Sequence, residues 1–207
     1  MNGGHQQSKR RYTRRLENKM KAINIKTEYL HNPIGLGTIK PRIMWNCDGG
    51  VKQTAYYIAA VVDGKECSSG KVESDRMHAD FGVPLGSRSQ VSFKIKLWDE
   101  NGKEGEWSEE NFFEIGLIEK SDWQAKWISG NYKVDKKKRY PVDCFKKEFD
   151  ASDVEKARLY ISACGLYEAR LNGQKCCEFV FAPGAVDYRK RVQYQTYDVT
   201  DLIRKGE

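Results

Sequence analysis

The 207-residue chain is 39% hydrophobic and 12% aromatic, enough to build a core. Its longest apolar run, residues 55–62, falls far short of the ~20 residues a membrane-spanning helix needs. The net charge of +7 invites a nucleic-acid reading, but residues 1–19 alone carry +5, residues 20–116 carry −2 and residues 117–207 carry +4. Most of the excess is thus a short basic tail, which reads as a solvated, disordered extension to a fold beginning at Met20.

No apolar segment follows that tail, so it does not read as a secretory signal, and the expected location is the cytoplasm. The six cysteines, Cys47, Cys67, Cys144, Cys164, Cys176 and Cys177, form no CxxC and no Cys/His ligand spacing. Cys176 and Cys177, read as neighbours on a strand, point to opposite faces. The expectation is free thiols, no metal site and no cofactor.

In chain order, "NPIGLGTIKPRIMWN" reads as an irregular entry with two prolines, leading into a strand over Arg42–Trp45. "QTAYYIAAVVDGKECSSGKVES" gives a strand, an Asp63-Gly64 turn and a short partner strand. "QVSFKIKLW" sets Val91, Phe93, Ile95 and Leu97 on one face and Ser92, Lys94 and Lys96 on the other. Asn101-Gly102 signals a hairpin, because both residues tolerate positive φ, and "EWSEENFFEIG" reads as one returning strand. About seven short strands with frequent turns predict a fibronectin type III or immunoglobulin-like sandwich over residues 20–116.

Residues 117–140 read as a linker and exposed basic loop. In it Trp123 and Trp127 lie four apart, after a Ser121-Asp122 pair suited to capping a helical turn. "NYKVDKKKRYPVD" carries five basic residues and reads as solvated. The second domain, residues 141–207, opens with "CFKKEFDAS" as an alternating strand. Strands around a Gly turn and an Asn172-Gly173 turn follow, then a strand over Arg191–Asp198 and one helical turn capped by Thr200 or Asp201. Four or five strands leave unpaired edges, so this reads as an incomplete β-sandwich, unfinished at Glu207. The fold class is all-β.

Several segments, in this order, resemble the N-terminal part of the bacterial α-L-rhamnosidases: "EYLHNPIGLGTIKPRIMW", "QTAYYI", "SGKVESD", "LWDENGKEGEWSEENFFEIGL", "SDWQAKWI", "ARLYISACGLYEARLNGQK" and "PGAVDYRKRVQYQTYDVTDL". The resemblance implies a fibronectin-like sandwich followed by a carbohydrate-binding β-sandwich. The helical (α/α)6 barrel bearing the catalytic acids lies outside this chain and is its implied partner. It also implies a parent reaction, the hydrolysis of terminal α-L-rhamnosyl residues, and a rhamnose-containing glycan or glycoside as ligand. The chain departs from the family at Ala182-Pro183-Gly184-Ala185-Val186, where D-P-G-W-T is usual, at Val91, where a corner tyrosine is expected, and at Cys67, where an aromatic is common.

No catalytic residue is assigned. Asp99-Glu100 and Glu109-Glu110 flank turns and read as solvent-facing charges, so this chain alone is expected to be inactive. A stand-alone carbohydrate-binding or scaffolding module is the alternative. Its candidate stacking residues are Tyr167, Tyr188, Tyr194, Trp123 and Trp127, each of which has core or interface packing as its plainer explanation. The basic aromatic stretch Tyr188–Tyr197 could stack bases, but Asp187, Asp198 and Asp201 dilute it and no nucleic-acid motif accompanies it.

Overall fold

The computed structural model describes residues 19–135 and 137–203. The basic tail expected over residues 1–19 lies outside them but for Lys19. The chain divides into two compact units at Glu119/Lys120.

Among its described residues the first unit has eight strands: β1 (Lys21–Thr27), β2 (Arg42–Asp48), β3 (Ala55–Val62), β4 (Lys65–Glu73), β5 (His78–Asp80), β6 (Gln90–Trp98), β7 (Glu104–Trp107) and β8 (Asn111–Glu114). They run in the order β4-β3-β6-β7-β1-β2-β5, with β8 also on β6. Strands β1, β2 and β5 form one layer and β4, β3, β6 and β8 the other. They are joined where β7 pairs with β6 and meets β1 in parallel at Lys21 and Glu106. Gly105 permits that junction: a Cβ there would lie 2.0 Å from the Met20 carbonyl oxygen and 2.9 Å from that of Leu97.

The period-2 pattern decides which faces meet. On β6, Val91, Phe93, Ile95 and Leu97 are all buried, against Ile43 and Trp45 of β2 and Ile58 and Ala60 of β3 in one cluster. This is the expected immunoglobulin-like sandwich. The Asp63-Gly64 turn has both residues at positive φ, 48° and 80°, as a two-residue primed hairpin requires. Its partner β4 is nine residues long rather than short, bulged where the register slips between Tyr57 and Ala59.

Two further expectations for this unit need correction. At Asn101-Gly102 only Gly102 has positive φ, 71°. The loop is closed instead by Asp99, whose Oδ1 accepts from the Asn101 and Lys103 amides, both at 2.9 Å. The returning strand is broken into β7 and β8, because Ser108 puts its Oγ into the ladder and accepts from Ile95 N–H at 2.9 Å. The corner that lacks a tyrosine at Val91 is tied by Asp63, whose carboxylate accepts from Gln90 N–H at 2.7 Å and from the Ser89 hydroxyl at 3.0 Å.

Among its described residues the second unit has four strands: β9 (Arg158–Ser162), β10 (Arg170–Leu171), β11 (Gln174–Lys175) and β12 (Tyr194–Asp198). Strands β9 and β12 pair antiparallel over five positions, from Arg158↔Asp198 to Ser162↔Tyr194. Strands β10 and β11 form a hairpin on Asn172-Gly173, both at positive φ. The stretch "CFKKEFDAS" is not a strand; residues 144–150 are exposed, and alternation without a pairing partner does not make one. The last strand begins at Tyr194 rather than Arg191, since Asp187–Arg191 is held as a turn by Lys190 and Arg191 amides donating to the Asp187 carbonyl. Cys176 and Cys177 lie in a bend rather than a strand. The closing 3-10 turn Thr200–Leu202 is capped by neither Thr200 nor Asp201; the Asp198 carboxylate takes the Thr200 amide at 3.1 Å.

Candidate functional site

All five aromatic residues singled out from the sequence fall in the second unit, and the β9–β12 ribbon separates them. On β12, Tyr194 and Thr196 point to one face and Gln195 and Tyr197 to the other. On the first face Trp123 meets Tyr194 edge-on, ring centroids 5.3 Å apart, with Tyr160 of β9 at 6.4 Å from the same ring. Ser121-Asp122 lies inside the 3-10 turn Lys120–Asp122, immediately before Trp123, rather than capping it from outside.

On the second face Tyr167 joins Gln195 and Tyr197. The Tyr167 hydroxyl donates to Gln195 Oε1 at 3.0 Å and stands 2.9 Å from the Tyr197 hydroxyl. Having one proton and giving it to Gln195, Tyr167 accepts from Tyr197. Burial raises both phenols; the Tyr197 phenol is pushed further by hydrogen bonds with Cys177 and Tyr167. The segment Ala182-Pro183-Gly184 is held against this group: Tyr167 N–H donates to the Ala182 carbonyl at 2.8 Å, and Gln195 Nε2 to the Pro183 carbonyl at 3.3 Å. The Ala182-Pro183 bond is cis. Ala185, where the resemblance implies a tryptophan, is exposed and offers no ring.

The other two candidates stand apart. Trp127 is 67% exposed. Tyr188 is 42% exposed, on the turn where the Asp187 carboxylate takes the backbone and the guanidinium of Arg189. That pairing uses one cation of the basic stretch internally, and the Arg189 contacts hold the Asp187 carboxyl below its ordinary range. Sequence reasoning missed Gln195, and it weighed Tyr197 only as a base-stacking residue; their links to Tyr167 span 28 and 30 residues. It also missed the stacked pair Tyr132 and Tyr140 in the basic loop, 5.0 Å apart, with Tyr132 donating to Asp143.

Several carboxylates in both units serve the backbone or nearby cations. Glu100 Oε2 accepts from the Val51 amide at 2.8 Å and the Lys52 amide at 3.3 Å, so Asp99 and Glu100 lock loops rather than merely face solvent. Hydrogen bonds from Lys175 and Arg170 hold the Glu168 carboxyl low, and Asp198 is paired with Arg158 at 2.7 Å. Among the described residues no group of three or more His, Cys, Asp or Glu gathers to hold a metal ion, and no helix is long and apolar enough to cross a membrane.

An immunoglobulin-like sandwich in series with a smaller β unit, whose carboxylates close loops and turns, defines a class of accessory β modules. Residues 22–119 match the family described as Rha78A-like, N-terminal immunoglobulin domain, and residues 152–207 match the Alpha-L-rhamnosidase N-terminal domain. The chain therefore belongs to the α-L-rhamnosidase family, as its N-terminal β region. It is 33% identical over 200 residues to an alpha-L-rhamnosidase of Formosa agariphila, covering 87% of this chain and 22% of that relative. Among solved structures, the alpha-L-rhamnosidase of Dictyoglumus thermophilum superposes with a TM-score of 0.76 at 30% identity, covering 89% of this chain and 24% of that one. The native enzyme of Aspergillus terreus superposes with a TM-score of 0.77 at 31% identity, covering 90% and 22%. The chain thus spans about a fifth of the length of the relatives it matches.

Proposed function

We propose that this chain is the non-catalytic N-terminal portion of an α-L-rhamnosidase-like glycoside hydrolase whose complete form removes terminal α-L-rhamnosyl residues. The observation that carries this reading is the order of the two domain matches along one chain, shared with relatives that bear that name. The partner is the remainder of such a polypeptide, and the substrate a rhamnose-containing glycoside.

The chemistry of the carboxylates supports a structural role. Inverting glycosidases need a free acid and a free base roughly 6.5–9.5 Å apart across the sugar. Here Asp99 and Glu100 are bound to backbone amides, and Glu168, Asp187 and Asp198 to neighbouring cations or amides. Purified 1–207 incubated with a chromogenic α-L-rhamnoside is expected to release no chromophore above the buffer blank. Turnover that survives repurification would refute the reading.

A second reading, a carbohydrate-binding module, is favoured by the exposure of Trp127 and Tyr188. Rhamnose-containing glycans would then quench or shift the Trp127 fluorescence, and a Trp127→Phe protein would lose that response.

A further inference from the structure

The outer face of the β4-β3-β6 layer carries its side chains in three cross-strand rows. The first is Lys71, Tyr57, Lys96 and Trp107, in register across β4, β3, β6 and β7. The second is Ser68, Ala59 and Lys94, and the third Glu66, Val61, Ser92 and Phe112. In the middle row Ser68 and Ala59 are small where their neighbours on β4 and β3 are large. Tyr57, edge-on to Trp107 with centroids 5.9 Å apart, forms one wall, and Val61, 37% exposed, forms the other. Four residues of strand separate the walls, ~13 Å at ordinary rise. Between them lies a shallow depression of about 500 Å³, lined by Tyr57, Ala59, Ser68, Ser92, Lys94 and Glu110 among others. That volume is in the range of small-molecule sites, ~300–1,000 Å³.

We propose that this depression on the first unit binds a neutral glycosyl residue. The aromatic and apolar walls suit the C–H faces of a sugar ring, and the serine hydroxyls of the floor can exchange hydrogen bonds with its hydroxyls. Glu66 and Glu110 oppose Lys94 at the rim, so the site offers no net cationic pull for a phosphate and too many polar groups for a lipid chain. Tyr57 and Trp107 are fixed before binding: Lys96 Nζ lies 4.5 Å over the Trp107 ring and is paired with Glu104. The identity of the sugar, an α-L-rhamnosyl unit, rests on the proposed function; the site itself rests on the rows.

The test is a ¹⁵N-correlation titration of 1–207 with methyl α-L-rhamnoside and, separately, with methyl β-D-glucoside. Saturable shifts confined to the amides of Ala59, Ser68, Ser92 and Lys94 are expected with the rhamnoside. They should vanish in Ala59→Phe, which fills the depression from an outward position, and weaken several-fold in Val61→Ser, which lowers one wall without touching the core. Shifts there with the glucoside alone would uphold the site while counting against the rhamnosidase reading. Absence of saturable shifts with both sugars, shifts confined to the second unit, or binding undiminished in Ala59→Phe would overturn the proposal.

Discussion

Asp63 and Gln90 are bound reciprocally: Asp63 N–H donates to the Gln90 carbonyl at 2.9 Å, and the Asp63 carboxylate accepts from Gln90 N–H at 2.7 Å. One residue therefore forms the β3–β4 turn and anchors the start of β6. Asp63→Ala removes the acceptor for Gln90 and Ser89 and places a side chain poorly suited to positive φ at 48°. The expected cost is about 1–3 kcal/mol in urea unfolding followed by Trp45 fluorescence. Asp63→Asn keeps the turn conformation and one acceptor and should cost less. Equal losses in the two proteins would show that the carboxylate does not anchor the corner.

Gln53 is the polar hub of the same sandwich, 3% exposed. Its Oε1 accepts from Trp45 Nε1–H at 2.8 Å and from the Cys47 thiol at 3.5 Å, while Nε2 donates to the Ser74 and Arg76 carbonyls at 2.9 and 3.0 Å. Gln53→Leu leaves the indole N–H and both carbonyls without partners. The loss should be about 2–4 kcal/mol by thermal or chemical unfolding, larger than for any exposed Gln→Leu change. A loss below ~0.5 kcal/mol would mean water replaces the amide without penalty.

These two residues also mark what can be read from the chain without its structure. The β6 alternation and the Asp63-Gly64 hairpin are local, period-2 and turn-type signals, and both appear as expected. The anchoring by Asp63 and the hub at Gln53 join residues 27 and 21 apart, where no short-range pattern reaches. Ser108 was hidden for a different reason: a serine inside an apparent strand looks like an outward polar residue until its Oγ is seen replacing a backbone acceptor. In the second unit "CFKKEFDAS" alternates as well as β6 does, yet a strand exists only through a partner. The five aromatics looked like one set, whereas pleating of β12 puts Tyr194, with Trp123, on one face and leaves Tyr167, bound to Gln195 and Tyr197, on the other.

Thr196 gives a prediction of the opposite sign. It faces Tyr160 in the β9–β12 register, and its Oγ1 is buried without a hydrogen-bond partner. Valine has nearly the same volume, prefers strands and removes the orphaned hydroxyl. Thr196→Val should be neutral or stabilise the ribbon by up to ~1 kcal/mol, read from amide-exchange protection in β9 and β12. A clear loss of protection would mean that the hydroxyl is satisfied in solution.

Asp198 makes the ribbon sensitive to acid. Burial pushes its carboxyl up, but the Thr200 hydroxyl and amide, with the charges of Arg158 and Lys156, outweigh burial and hold it below the ordinary value of 3.8. A carboxyl whose folded pKa is depressed stabilises the fold above its unfolded pKa, and that contribution is lost as pH falls through the folded one. The strand ends at Arg158↔Asp198 and the Thr200 turn should therefore be protected at neutral pH and loosen below about pH 4. In Asp198→Asn the charge is gone at every pH. Protection of the Val199 amide, which donates to the Ala157 carbonyl at 3.2 Å, should be lower near neutrality and should no longer fall through the acid window. The two proteins should converge at low pH, where the wild-type carboxyl is protonated. Parallel profiles for wild type and variant would show that another acid, not Asp198, governs the acid loosening of this ribbon.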